Sequence, residues 1–260
     1  MTLSTAEAVT GPSRGPVLGL AAQLSLLALL GSTLSLTAGG LVAGAAYGLV
    51  LCGLLGAGLG RAGMTRLGAA NAVTLSRAIL AGGVTAMVVT SFTDPVNTAV
   101  LVTIAAVALA LDGVDGQVAR RTNTATALGA RFDMEVDSFL VLVLSVYAGD
   151  HYGWWWVAIG AFRYVFVAAS WAWPWLNAPL PPRFSRKIPA VVQGVGLVVA
   201  MAGFLPVPVT VAGLALAVAT PAWSFGLDIR WLYRAMRVRE AARSRWATDP
   251  APARHPALAH

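Results

Sequence analysis

Residues 111–139 read LDGVDGQVARRTNTATALGARFDMEVDSF, set between VLVTIAAVALA at 100–110 and LVLVLSVYAG at 140–149. Asp112, Asp115, Asp133 and Asp137 therefore stand at the edges of two nearly unbroken hydrocarbon runs. A carboxylate inside a bilayer is expensive unless something neutralises it, so such a group marks a functional site by default. The question the sequence poses is what neutralises four of them.

Working outward, the chain is 57% hydrophobic and only 11% charged over 260 residues, the composition of a membrane protein. Lys and Arg number 18 against 11 Asp and Glu, a net charge of +7. In a membrane protein that excess points to topology and anionic lipid rather than to nucleic acid. Cys52 is the single cysteine, so no disulfide forms within the chain, and the scattered His151, His255 and His260 make no zinc site. Apolar runs long enough to cross a bilayer occur at about 16–36, 40–60, 72–92, 96–114, 134–150, 153–176, 188–205 and 207–227. Turn signals separate them, including TAGG at 37–40 and LPVP at 205–208. The expected fold is all-α, a polytopic bundle of about eight transmembrane helices.

The charges support that count. Arg14, Arg61, Arg66, Arg120, Arg121, Arg131, Arg183, Arg186, Lys187 and the Arg-rich tail fall on one side of eight spans, while the opposite loops hold Asp94 and Asp150. The positive-inside rule makes both termini and the acidic segment cytoplasmic, in a multi-pass protein of the plasma membrane. Trp154–Trp156 and Trp171, Trp173 and Trp175 bracket the sixth span as interfacial belts, about 31 Å apart on an unbroken helix.

On helices, Asp112 and Asp115 share a face, as do Asp133 and Asp137. Four converging carboxylates repel, and either protonation or divalent cations relieve the repulsion. Two Mg²⁺ or Mn²⁺ ions balance four charges and suit all-oxygen ligation. The plainer alternative pairs the acids with Arg120, Arg121 and Arg131 at a wet helix end. Gly116 and Ala119 leave the same face bare for a ligand, Arg120 offers a fork to phosphate, and Gly129 permits close approach before Asp133. Glu135 points away from its neighbouring acids, as a solvent-side partner for Arg131. Together these residues suggest a dinuclear site for displacement at phosphorus.

The pattern D-x2-D-G-x2-A-R-x8-G-x3-D-x3-D resembles the signature of the CDP-alcohol phosphotransferases (CDP-alcohol phosphatidyltransferases), and all eight of its positions are filled. The resemblance implies a six-helix membrane core at about residues 68–227, often a homodimer, and attack of an acceptor hydroxyl on the β-phosphorus of CDP-diacylglycerol with release of CMP. It implies Asp112, Asp115, Asp133 and Asp137 as metal ligands, with Asp137 also the general base. N-A-V-T-L-S-R looks like the family's entry to its first core helix, with Asn71, Thr74 and Arg77 near the nucleotide phosphates; Asn and Thr are equally ordinary caps.

Arg163, near the middle of the sixth span, reads as the holder of a phosphate on the acceptor, with Arg186 or Lys187; the alternative is an arginine that snorkels or answers a carboxylate. S-R-K-I-P-A-V-V-Q is similar to a Lys…Gln pattern in phosphatidylglycerophosphate synthases, although Pro189 and Tyr164 depart from it. The expected acceptor is glycerol 3-phosphate, then an inositol phosphate. Residues 1–67 form an extension with two spans, in which Gly40, Gly44, Gly48, Gly56 and Gly60 make a small-residue stripe. Residues 228–260 form a basic cytoplasmic tail, its segment 229–246 suited to an interfacial helix on anionic lipid. The rival functions are a cation-coupled transporter, an idle membrane scaffold, and the same enzyme with an unphosphorylated alcohol.

Overall fold

The computed structural model describes residues 14–64, 68–122, 126–178 and 187–248. Among them are eight α-helices and no strand: α1 (Arg14–Leu34), α2 (Ala38–Arg61), α3 (Ala69–Ser91), α4 (Thr98–Thr122), α5 (Ala127–Tyr152), α6 (Ala158–Ala172), α7 (Lys187–Ala202) and α8 (Val207–Thr248). Single 3₁₀ turns at Trp154–Val157 and Pro174–Asn177 flank α6. This is an all-α polytopic membrane bundle. The helix boundaries follow local chemistry. The Thr37 side chain accepts from Gly40 N at 3.2 Å to cap α2, and Asn97 Oδ1 accepts from Val100 N at 3.1 Å at the start of α4. Gly153 and Gly203, at φ 112° and 66°, end α5 and α7 in conformations that other residues rarely adopt.

Among the described residues five stretches are long and apolar enough to cross a membrane, in α1, α2, α3, α8 and Trp154–Ala172, which joins a 3₁₀ turn to α6, and α4 and α7 carry shorter apolar stretches. Burial ranks the long ones. In α3, 67% of the apolar window is buried, against 22% in α1 and 28% in α2. The innermost helix is therefore α3, with Ala81, Val84 and Met87 in a core that also takes Leu101 and Ala105 of α4, Leu140 and Leu144 of α5, and Leu197 of α7. Val17, Leu24, Val42 and Leu54 on α1 and α2 are exposed, which is the expected outward face where the surrounding solvent is hydrocarbon.

The glycine stripe shows how α2 docks. A Cβ on Gly40 would collide with Thr90 Oγ1 and the carbonyl of Ala86, and one on Gly44 would come within 2.7 Å of Leu27 and 2.9 Å of Gly82 O. The first half of the stripe thus seats α2 against α1 and α3, while Gly60 meets nothing. Thr37 and Thr90 hydroxyls, 3.1 Å apart, close the same joint.

Three elements differ from the sequence expectation. First, α4 and α5 run on past the apolar runs expected at about 96–114 and 134–150, so only the few residues between Thr122 and Ala127 separate them. Second, α6 is only 15 residues long, and the tryptophans lie on the 3₁₀ turns and at its end rather than on one long helix. Pro174 and the left-handed Gly153 break the helical ladder there. Third, α8 has 42 residues, about 63 Å at 1.5 Å per residue, and continues without interruption from the eighth span into the basic segment. Leu232 is buried, and Tyr233 packs edge-on against Trp175 at 6.1 Å, so the start of that segment is still part of the bundle.

Replacing Gly40 with Val forces side-chain atoms into the Ala86 carbonyl, and overpacking of this kind costs about 1–3 kcal/mol. We expect the variant to lose folded protein at a lower temperature than wild type, measured by size-exclusion recovery after heating in detergent.

Candidate active site

The first core helix supplies the neutralising charge. The Arg77 side chain is 0% exposed and projects from α3 at the acids of α4 and α5. Its Nη1 donates to Asp133 Oδ1 at 2.6 Å and lies 3.0 Å from Asp112 Oδ1. Its Nη2 donates to Asp137 Oδ1, and its Nε donates to the carbonyl oxygen of Ala108 at 3.0 Å. All three nitrogens are engaged, and Asp112, Asp133 and Asp137 all belong to the sequence motif.

Helix geometry explains the convergence. Asp112 lies about 15 Å inward from the end of α4, Asp137 about 15 Å inward from the start of α5, and Arg77 about 12 Å into α3. Because α4 and α5 continue past their apolar runs, acids that stand at the edges of those runs lie some turns inside the helix ends. Asp112, Asp133 and Asp137 each offer an oxygen within 4.8 Å of the others, and their side chains are 46%, 35% and 37% exposed. They are open to a ligand on one side and closed by Arg77 on the other. Asp115, Gly116, Ala119 and Arg120 lie on α4, with side chains outside the described residues.

Asn71 and Thr74 are not caps. The N-cap of α3 is Gly68, which makes no side-chain bond, and both residues are buried in the first turns of the helix. A Cβ on Gly129 would collide with Asn71 Oδ1 and come within 3.1 Å of Thr126 Oγ1, the atom that caps α5 by accepting from Gly129 N at 3.0 Å. Gly129 is therefore the point where α5 closes on α3, which sets Asp133 and Asp137 against Arg77.

Beside Asp137 opens a cavity of about 290 Å³, lined by α5, α6, α7 and α8. Its polar wall comprises Asp137, Ser138, Arg163, Gln193, Ser224 and Asp228. Arg163 forms an ion pair with Glu135, and its Nη1 lies 2.7 Å from Met134 Sδ. This corrects the expected Glu135–Arg131 pair: the partner lies across the α5–α6 interface, because Glu135 and Arg163 meet there while Arg131 stays exposed. Arg163 Nε is buried without a hydrogen-bond partner among the described residues. Gln193 Nε2 donates to the Ile159 carbonyl at 2.7 Å, tying α7 to α6. Arg186 lies outside the described residues, as does the side chain of Lys187 at the first position of α7. Sequence reasoning passed over Asp228, which is buried on α8 and lines the cavity. The signal was present: Pro221, Ser224, Phe225 and Asp228 follow helical spacing and form one face.

Residues 67–223 match the CDP-alcohol phosphatidyltransferase family, more than half of the chain. The protein belongs to that family. It is accordingly a transferase of substituted phosphate groups, moving a phosphatidyl group between a CDP-alcohol and an alcohol acceptor. Searches of curated proteins and of solved structures matched nothing. Family membership favours the enzyme over the transporter and the scaffold, and the family uses divalent metal ions. The residues fit such an ion on two counts. Three carboxylate oxygens converge from two helices, a donor set suited to hard cations, and the same oxygens already surround a positive group.

A Gly129→Val substitution pushes the first turn of α5 away from Asn71 and shifts two of the three acids. Small displacements of reacting groups cost about 100-fold in rate. A loss of that order in CMP release, with the protein still monodisperse, is the expected result.

Proposed function

We propose that the donor is CDP-diacylglycerol and that the acceptor is a small phosphorylated polyol, glycerol 3-phosphate before an inositol phosphate, in phospholipid biosynthesis. The observation that carries this reading is a single cavity with both Asp137 and Arg163 in its wall. In this reading Asp137 takes the proton of the acceptor hydroxyl. The hydroxyl oxygen bonds to the β-phosphorus as the bond to the CMP oxygen breaks, and CMP leaves. In this reading Arg163, in the cavity wall and paired with Glu135, meets the acceptor's phosphate, with Arg186 or Lys187 beside it. Ser138, Gln193, Ser224 and Asp228 supply polar contacts for the remaining hydroxyls. An acceptor phosphate would share Arg163 with Glu135, and an arginine in the cavity wall is why the phosphorylated acceptor is preferred.

Asp112, Asp115, Asp133 and Asp137 are the residues that would hold two Mg²⁺ or Mn²⁺ ions. When bound, such ions neutralise developing charge on the pyrophosphate oxygens. Gly116, Ala119, Arg120, Gly129, Asn71, Thr74 and Arg77 make up the nucleotide and phosphate side, within a catalytic core of residues 68–227. The basic ends of the helices fit an active site facing the cytoplasm from the plasma membrane. The exposed arginines of the long α8 suit anionic lipid, and a homodimer is the assembly we expect.

CMP release from CDP-diacylglycerol with Mn²⁺, screened across glycerol 3-phosphate, inositol phosphate, inositol and serine, tests the assignment. A lost hydrogen bond to a charged group is worth about 1.5–3 kcal/mol, so Arg163→Ala should raise the acceptor KM roughly tenfold or more. Asp137→Asn should lower kcat by about 10²–10⁴. An unchanged KM removes the phosphate pocket, full turnover removes the base, and preference for serine or inositol removes the phosphorylated acceptor.

A further inference from the structure

We propose that Arg77 is a resident counter-ion for the acidic triad, which a divalent ion must displace from Asp112 and Asp133. The inference rests on the reading of those acids as metal ligands. Three carboxylates held within 4.8 Å of one another repel, and without a cation they would spread. The guanidinium holds them together. Its planar fork reaches acids on two helices at once, Asp112 on α4 and Asp133 and Asp137 on α5, from a third helix in which it is wholly buried. The ligand oxygens are thereby gathered before any ion arrives.

The same geometry makes Arg77 a competitor. Nη1 stands 2.6 Å from an oxygen of Asp133 and 3.0 Å from one of Asp112, so it occupies lone pairs that a hard cation held by these acids would need. A residue that merely orients a metal ligand touches it from the far side, through an outer hydrogen bond. Arg77 instead bridges the two oxygens. Its Nε bond to the Ala108 carbonyl anchors the stem, so release concerns the Nη end alone. Once released, that end is available to the donor's phosphates, the place the family motif implies for it. Exchange of one cation for another keeps the clustered acids neutralised throughout.

The test uses the full chain in nanodiscs, with Mn²⁺ binding followed by electron paramagnetic resonance and melting followed in EDTA. Arg77→Met keeps the length and removes the charge. We expect it to bind Mn²⁺ about tenfold more tightly than wild type. An ordinary outer partner of a metal ligand shows the opposite, a loss of about 10–100-fold on removal. That loss, or an unchanged affinity, overturns the proposal. In EDTA, Asp133→Asn should lower the melting temperature of wild type and raise that of Arg77→Met, since the carboxylate has lost its cation; the same sign in both backgrounds also overturns it. If Arg77→Met does not fold, Arg77→Lys keeps the charge and loses the fork, and tighter Mn²⁺ binding is again required. A wild type that binds no Mn²⁺ overturns the metal-ligand reading and the proposal with it. That outcome is distinct from a wild type that binds the ion and a variant that binds it more weakly, which overturns displacement alone.

Discussion

An arginine with no exposed side-chain surface, shared by three carboxylates, is the contact on which this protein's interior depends. The buried guanidinium could not remain in that position without the carboxylates, since a buried charge left unpaired is costly. The cluster therefore ties α3, α4 and α5 together. It also keeps the acids on the open side of the bundle, about a third to a half exposed, where a substrate can reach them.

Packing elsewhere serves that arrangement. The deepest helix is α3, and both ends of the molecule lean on it. The extension presses glycines of α2 against its later turns, at Gly82 and Ala86, while α5 brings Gly129 onto Asn71 in its first turn. Close approach matters more than hydrophobicity in a membrane, where lipid tails are as apolar as the side chains they would replace. Small residues at these crossings let van der Waals contact and a few polar bonds hold the helices.

The cavity beside Asp137 lies between α5, α6, α7 and α8, with the first turns of α6, Ile159 to Arg163, forming one wall. Pro221, inside α8, and Pro189, near the start of α7, both line that space. The polar groups on its wall come from four helices, and a carboxylate, an arginine and an amide meet in a volume suited to a small molecule.

Much of this was legible in the one-dimensional chain. Apolar runs of membrane length, the spacing of four aspartates, and the sides on which arginines fall are local or periodic properties, and each follows from the bilayer acting as solvent. The motif led to the family, and Asp112, Asp133 and Asp137 came together as their spacing suggested. Tertiary structure alone decided the partners. Arg77 lies far from Asp133 and Asp137 in sequence, as Glu135 does from Arg163, and no periodicity within one helix says which face another helix will meet. The same limit hid Asp228, whose place in the cavity wall exists only once α8 has packed beside α6 and α7. Spacing sets which side chains share a face; only the crossing of helices sets what that face touches.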